Sequence, residues 1–236
     1  MFEFSKDSGE VWIYDEIGPS WWGLIDAAAV TGALKEIGDK HVTIRLNTPG
    51  GSVDEGIAIY NALKRHRGGV TTIVDSLAAS MGSYLLQAGS TRIVASNAMV
   101  MVHDPWSIAI GNAIEMRKTA DILEKYGDRM IPDYATRSGK TDDEIRSIMA
   151  EESWYAGQEI VDAGFADSVF DGSDIEPVVA GLHHLAKKIP SALSDRKPMQ
   201  AGDRTLGFPK LVAAKVKRTL TTAEAKAIAS KTNGRL

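Results

Sequence analysis

Three short segments of this 236-residue chain supply the parts that nucleophilic acyl transfer needs. They are Asn47-Thr48-Pro49-Gly50-Gly51-Ser52, Leu77-Ala78-Ala79-Ser80-Met81-Gly82 and Met101-Val102-His103-Asp104-Pro105, each placed where a strand pattern ends. A serine hydroxyl is a weak nucleophile that needs a base within hydrogen-bond reach and donors for the oxyanion it creates. Ser80, read in the first turn of a buried helix, has the free N–H groups of that turn beside it, notably that of Met81. Its neighbours Ala78, Ala79 and Gly82 leave room for a substrate backbone. Gly50-Gly51 offers unobstructed backbone that can take unusual dihedrals, with the Gly51 N–H as a second oxyanion donor. The strip Gly50, Gly51 and Ser52 is then a place for an extended substrate to pair. His103 closes an apolar strand just before Pro105 breaks it, at the strand end where α/β sites gather.

Each segment alone has an ordinary explanation. Ser80 could simply cap a helix, Gly50-Gly51 could be a tight turn, and His103 could be a satisfied core residue. The serine segment is not a G-x-S-x-G elbow either, because Ala78 stands at the first glycine position. The other histidines, His41, His66, His183 and His184, lie at element ends or in the tail. A third group should orient the imidazole. Asp104 adjoins His103, so on a strand it points to the opposite face. Glu151, Glu152 and Asp167 remain open on residue type alone.

The elements that must position these groups alternate. Residues 41–46 and 70–74 read as strands, the latter β-branched throughout as in a buried parallel strand. Between them Ser52 predicts an N-cap with Glu55 at the capping-box position, followed by a core stripe of Val53, Ile57, Tyr60 and Leu63. Residues 79–88 read as a buried helix, 92–95 and 99–102 as short strands, and 114–134 as a long helix. A helix capped by Thr141, another over 156–163 and a strand over 166–170 complete the pattern. Such alternation predicts an α/β fold of repeated βαβ units on a mainly parallel sheet.

The chain is 44% hydrophobic and 25% charged, an ordinary globular composition. It holds no cysteine, which excludes disulfides, thiolate metal sites and a cysteine nucleophile. No metal or cofactor is called for. The N-terminus lacks a signal-peptide pattern, and no apolar run approaches the roughly 20 residues needed to span a bilayer, so a cytoplasmic protein is expected. Residues 187–236 carry 12 Lys/Arg against 3 Asp/Glu, a net of +9, leaving −13 over 1–186. Pro190, Pro198, Gly202, Gly207 and Pro209 punctuate that basic stretch. The expectation is a folded domain over 1–186 and a mobile, dispensable tail over 187–236. Nucleic acid would bind, if at all, through that tail.

The order Pro49-Gly50-Gly51, Ala79-Ser80-Met81-Gly82 and Met101-Val102-His103-Asp104-Pro105 resembles the Clp-type serine peptidases. Residues 159–169, Glu-Ile-Val-Asp-Ala-Gly-Phe-Ala-Asp-Ser-Val, resemble that family's closing motif, and the likeness covers about 11–170. It implies a crotonase-like β-superhelix with a long handle helix, the 108–134 region, that meshes stacked homo-oligomeric rings. It also implies Ser80 as nucleophile, His103 as base, Gly51 and Met81 as oxyanion donors, and Glu152 at a position usually held by Asp. Glu is one methylene longer, so its contact with His103 would need the local backbone to sit further back. The short start over 1–14 and the basic tail further resemble the head maturation proteases of tailed phages. That branch cuts capsid and scaffold proteins, which would place the chain in a host cytoplasm or procapsid. The alternatives are a housekeeping-type subunit working with an ATPase unfoldase, an acyl-CoA enzyme on the same fold, and a non-catalytic ring scaffold.

Overall fold

The computed structural model describes residues 1–171. The expected boundary at 186/187, the basic tail, His183 and His184 lie outside the described residues. The elements in chain order are β1 (Phe2–Ser5), β2 (Glu10–Ile13), α1 (Ala27–Ile37), β3 (Val42–Thr48), α2 (Val53–Lys64), β4 (Val70–Ala79) and α3 (Met81–Leu86). There follow β5 (Thr91–Ala95), β6 (Met99–Val102), α4 (Ala113–Ser138), α5 (Asp142–Ala150), β7 (Ser153–Ala156), α6 (Gln158–Asp162) and β8 (Ser168–Phe170).

One eight-stranded sheet runs β1-β2-β3-β4-β5-β8, with β6 beside β4 and β7 beside β6. The pairs β2·β3, β3·β4, β4·β5, β4·β6 and β5·β8 are parallel, while β1·β2 and β6·β7 are antiparallel. The sheet is therefore mixed, and the α/β architecture fits the expected fold. Its core gathers Val11, Ile13, Ile44, Leu46, Val74 and Val94 with helix residues such as Ile59 and Leu85, all at most 1% exposed.

The strand read over 70–74 continues to Ala79, and the helix read over 79–88 shrinks to 81–86. Alanines and a serine favour a helix locally, but tertiary pairing overrides that preference. The first half of β4 pairs with β5, and its second half switches to β6, where Ala79 lies opposite Met101. Asp75 is drawn into the strand from β3, whose buried Arg45 donates from Nε to Asp75 Oδ2 at 2.9 Å.

Ser52 caps α2 as expected, accepting from Glu55 N at 3.4 Å, but the reciprocal half of the capping box is absent. The Glu55 carboxylate instead accepts from Ala27 N at 2.7 Å, where it satisfies an orphan donor at the start of α1. The buried stripe of α2 is turned toward Gly56, Ile59, Tyr60, Ala62 and Leu63, with Val53 and Ile57 only partly covered. A Cβ on Gly56 would come within 2.3 Å of Met81 Cε, so this bare position admits the residue next to Ser80.

The helix read over 114–134 is α4, 26 residues long and opened by a complete Asn112–Glu115 capping box. Its C-terminal half buries Gly127, Met130, Ile131, Tyr134 and Ala135, while Ile114, Met116 and Ile122 in the N-terminal half are exposed. No described helix is long and apolar enough to cross a membrane.

Candidate active site

The end of β4 delivers Ser80 in a conformation that only tertiary structure can hold. Its φ of 54° and ψ of −123° lie where L-residues are rarely found, and such backbone costs about 1–3 kcal/mol. The Ser80 N–H donates to Met101 O at 2.9 Å, which ties the residue to β6. The Ser80 carbonyl accepts from Ser83 N at 2.9 Å, Tyr84 N at 3.3 Å and Ser83 Oγ at 2.7 Å. Ser80 stands at the N-cap position of α3, one residue before the first turn, yet its side chain makes no capping bond. The hydroxyl is turned to His103 instead.

His103 leaves the end of β6 with its Nε2 2.8 Å from Ser80 Oγ. For the serine to donate in this contact, Nε2 must be the bare nitrogen and Nδ1 must carry the proton. Nδ1 faces Glu152 Oε2 at 4.0 Å, an electrostatic contact rather than a hydrogen bond. Burial holds the His103 imidazole below its ordinary value near 6.5, with the Glu152 and Asp104 carboxylates pulling the other way. The neutral form that can accept a proton is thereby favoured.

Glu152 is the second non-glycine residue among the described ones with positive φ, at 50°. Its N–H donates to Met149 O at 3.2 Å just past α5, and its side chain is 61% exposed. This turn brings the longer carboxylate round to the imidazole. Glu151 is the exposed C-cap of α5. The Asp167 carboxylate accepts from Arg92 N at 2.7 Å and from Arg92 Nε at 3.1 Å, so it serves β5 and not the histidine. Asp104 donates its N–H to Met149 O at 3.1 Å, and its effect on His103 is only through charge. His41 and His66 bond to backbone and threonine oxygens of their own surroundings.

Gly50 and Gly51 pass directly against this pair. A Cβ on Gly50 would lie 2.6 Å from Ala79 O, 2.7 Å from Ser80 Cβ and 2.8 Å from Met81 N. The turn is fixed by Thr48, whose buried Oγ1 accepts from Gly50 N at 3.1 Å. On the other edge, Ile17 N donates to Gly50 O at 2.7 Å and Ser52 N to Ile17 O at 2.8 Å. In a parallel bridge of that register the Gly51 N–H points away from Ile17. Among the described residues it bonds to nothing, and neither does the Met81 N–H, the orphan donor at the start of α3. Ser52 is engaged on both groups, its N–H by Ile17 and its hydroxyl by the α2 cap.

The structure thus brings Ser80, His103, Gly50, Gly51 and Met81 together, with Glu152 at the margin. Thr48 and Ser83 hold the arrangement from behind and escaped the sequence reading. Neither carries a mark in the sequence that separates it from an ordinary core hydroxyl. The chemistry on offer is proton transfer from Ser80 Oγ to His103 Nε2, with two backbone donors beside the hydroxyl.

Comparison with known proteins places the chain in a family. Residues 27–173 match the Clp protease family, a span that contains every group just named. The ATP-dependent Clp protease proteolytic subunit 1 of Leifsonia xyli subsp. xyli (strain CTCB07) is 29% identical over 161 residues. That alignment covers 67% of this chain and 81% of the relative.

Proposed function

This chain belongs to the Clp protease family, and on that premise we propose that it is a serine endopeptidase with Ser80, His103 and Glu152 as its triad. The observation that carries the reading is the 2.8 Å contact between His103 Nε2 and Ser80 Oγ. Ser80 Oγ attacks the scissile carbonyl while His103 Nε2 takes its proton. The oxyanion is received by the Gly51 and Met81 N–H groups. Collapse expels the amine, protonated by His103, and leaves an acyl-enzyme that water hydrolyses by the reverse proton path. An acyl-CoA hydratase or isomerase would leave the Ser80–His103 contact without a use.

The reading extends to a homo-oligomer of stacked rings. Its support is the exposed apolar run of Trp106, Ile108, Ile110, Ile114, Met116 and Ile122, at and before the start of α4. For substrate we take capsid and scaffold polypeptides of a phage head, supported by the sequence likeness to that branch and by the basic tail. A second reading, in which the chain works with an ATPase unfoldase, draws on the relative's name as an ATP-dependent proteolytic subunit.

A fluorophosphonate probe tests the catalytic core. Mass spectrometry should find the adduct on Ser80 in the wild-type chain, and labelling should fall sharply in His103→Ala. An unlabelled Ser80 would sink the proposal.

The pH dependence tests the third member. Because burial lowers the His103 pKa, kcat/KM should rise with pH through a point below 6.5 and then level off. Glu152 favours the imidazolium, so Glu152→Gln should move that acid limb to still lower pH. It should also reduce kcat about fivefold with KM nearly unchanged, since an exposed pair of this kind is worth at most about 1 kcal/mol. Asp104→Asn should move the limb in the same direction with a milder effect on kcat. A severe Asp104→Asn defect beside a healthy Glu152→Gln enzyme would reassign the third member.

A further inference from the structure

We infer that Ser83 and Tyr134 are positioning residues that set the direction of the Met81 N–H, and with it half of the oxyanion site. The inference rests on the serine peptidase reading above. In a trans peptide the carbonyl and the N–H point in opposite directions, so whatever fixes the Ser80 carbonyl also aims the Met81 N–H. Ser83 Oγ lies 2.7 Å from that carbonyl oxygen, and the oxygen can only accept. The single Ser83 hydroxyl proton is therefore spent on Ser80 O.

Tyr134 OH lies 2.8 Å from the same Ser83 Oγ. With the serine proton already committed, the tyrosine must be the donor in this second contact. The result is a directed chain, Tyr134 O–H to Ser83 Oγ–H to Ser80 C=O. Both Ser83 and Tyr134 are at most 1% exposed, so water does not compete for these bonds. Burial also raises the Tyr134 pKa, which keeps the hydroxyl proton in place.

The chain of bonds opposes a specific failure. Ser80 sits at positive φ, and rotation of the Ser80–Met81 peptide would give a residue so strained an escape. That rotation would present a carbonyl oxygen where the oxyanion must be received. The backbone donors of Ser83 and Tyr84 resist it from within α3, and the Ser83 hydroxyl adds a bond whose own partner belongs to α4. The two helices are joined again at the adjacent residue of each, where Tyr84 OH, one residue after Ser83, donates to Asp133, one residue before Tyr134. The anchor on the Ser80–Met81 peptide thus reaches outside the short helix that follows it.

The test uses the full-length protein, a chromogenic peptide and a peptide boronate of the same sequence. Ser80 Oγ adds to the boron, its proton passing to His103, and one boron-bound oxygen ends in the oxyanion position. Ser83→Ala should lower kcat about tenfold and weaken boronate binding by a similar factor, with KM within twofold of wild type. Tyr134→Phe keeps the ring and the serine bond, so it should lower kcat about threefold. Wild-type kcat and boronate affinity in a folded Ser83→Ala protein would overturn the inference, as would equal losses in KM and kcat. If Ser83→Ala does not fold, Tyr134→Phe decides: a threefold loss of kcat at constant KM supports the inference and unchanged kcat overturns it. Activity in Ser80→Ala would instead defeat the peptidase reading itself, so the two failures are distinguishable.

Discussion

Ser80→Ala is expected to remove peptidase activity by at least about 10³-fold while leaving the fold in place. Loss of a triad nucleophile leaves only what binding and the oxyanion donors provide. The structural cost should be small for reasons particular to this site. The Ser80 hydroxyl caps no helix turn and, among the described residues, hydrogen-bonds to His103 alone, so its removal orphans no backbone donor. The backbone bonds that hold the positive φ all come from Ser80 N and O, which alanine retains. Peptide turnover and the thermal midpoint measured on the same preparation check both halves. Turnover near the wild-type rate would remove Ser80 from the mechanism, and a collapsed midpoint would mean that its hydroxyl is structural.

What the sequence disclosed and what it hid divide along a physical line. Ser80, His103 and the Gly50-Gly51 turn could be read because each is marked locally, by small neighbours, a strand end or a proline. The length of β4 could not be read. It depends on a switch of partners from β5 to β6 along one strand, and no residue within residues 75–79 encodes that pairing. Glu55 shows the same limit: its spacing from Ser52 suits a capping box, but the N-terminus of α1 competes for the carboxylate. The elements β1, β2, α1 and β7 carry none of the local marks that single out the site segments. Residue type alone does not separate Glu152 from Glu151 and Asp167; only the family resemblance does. The positive φ of Glu152, the feature that brings it near His103, follows from how α5 ends against β7.

Thr48 and Ser83 mark a further limit. A hydroxyl that supports a site from behind has no signature of its own in one sequence, because a buried serine or threonine on an apolar element reads as a satisfied core residue. Only the distances from Thr48 Oγ1 to Gly50 N and from Ser83 Oγ to Ser80 O give them a role.

Gly50→Ala is expected to damage the site severely, lowering kcat about 10²-fold. The added Cβ would meet Ala79 O at 2.6 Å, Ser80 Cβ at 2.7 Å and Met81 N at 2.8 Å. None of these is the far end of a flexible side chain, so the glycine strip itself has to recede. Receding would carry the Gly51 N–H, the proposed second oxyanion donor, away from its place beside the Met81 N–H. Removal of one oxyanion donor costs about 10²–10³ in kcat, and a displacement near 1 Å is already worth about 10². Gly50 also has a φ of 92°, so strain alone could mimic the effect through loss of stability. Gly139 separates the two causes, since it has a φ of 74° but nothing within 4 Å of an added Cβ. Gly139→Ala should therefore cost about 1–2 kcal/mol of stability and leave kcat unchanged. If Gly50→Ala behaved like Gly139→Ala, with normal kcat and a modest drop in midpoint, the glycine strip would have no part in receiving the oxyanion. A kcat loss confined to Gly50→Ala, with the fluorophosphonate still reaching Ser80, would fix the strip as a wall of the site.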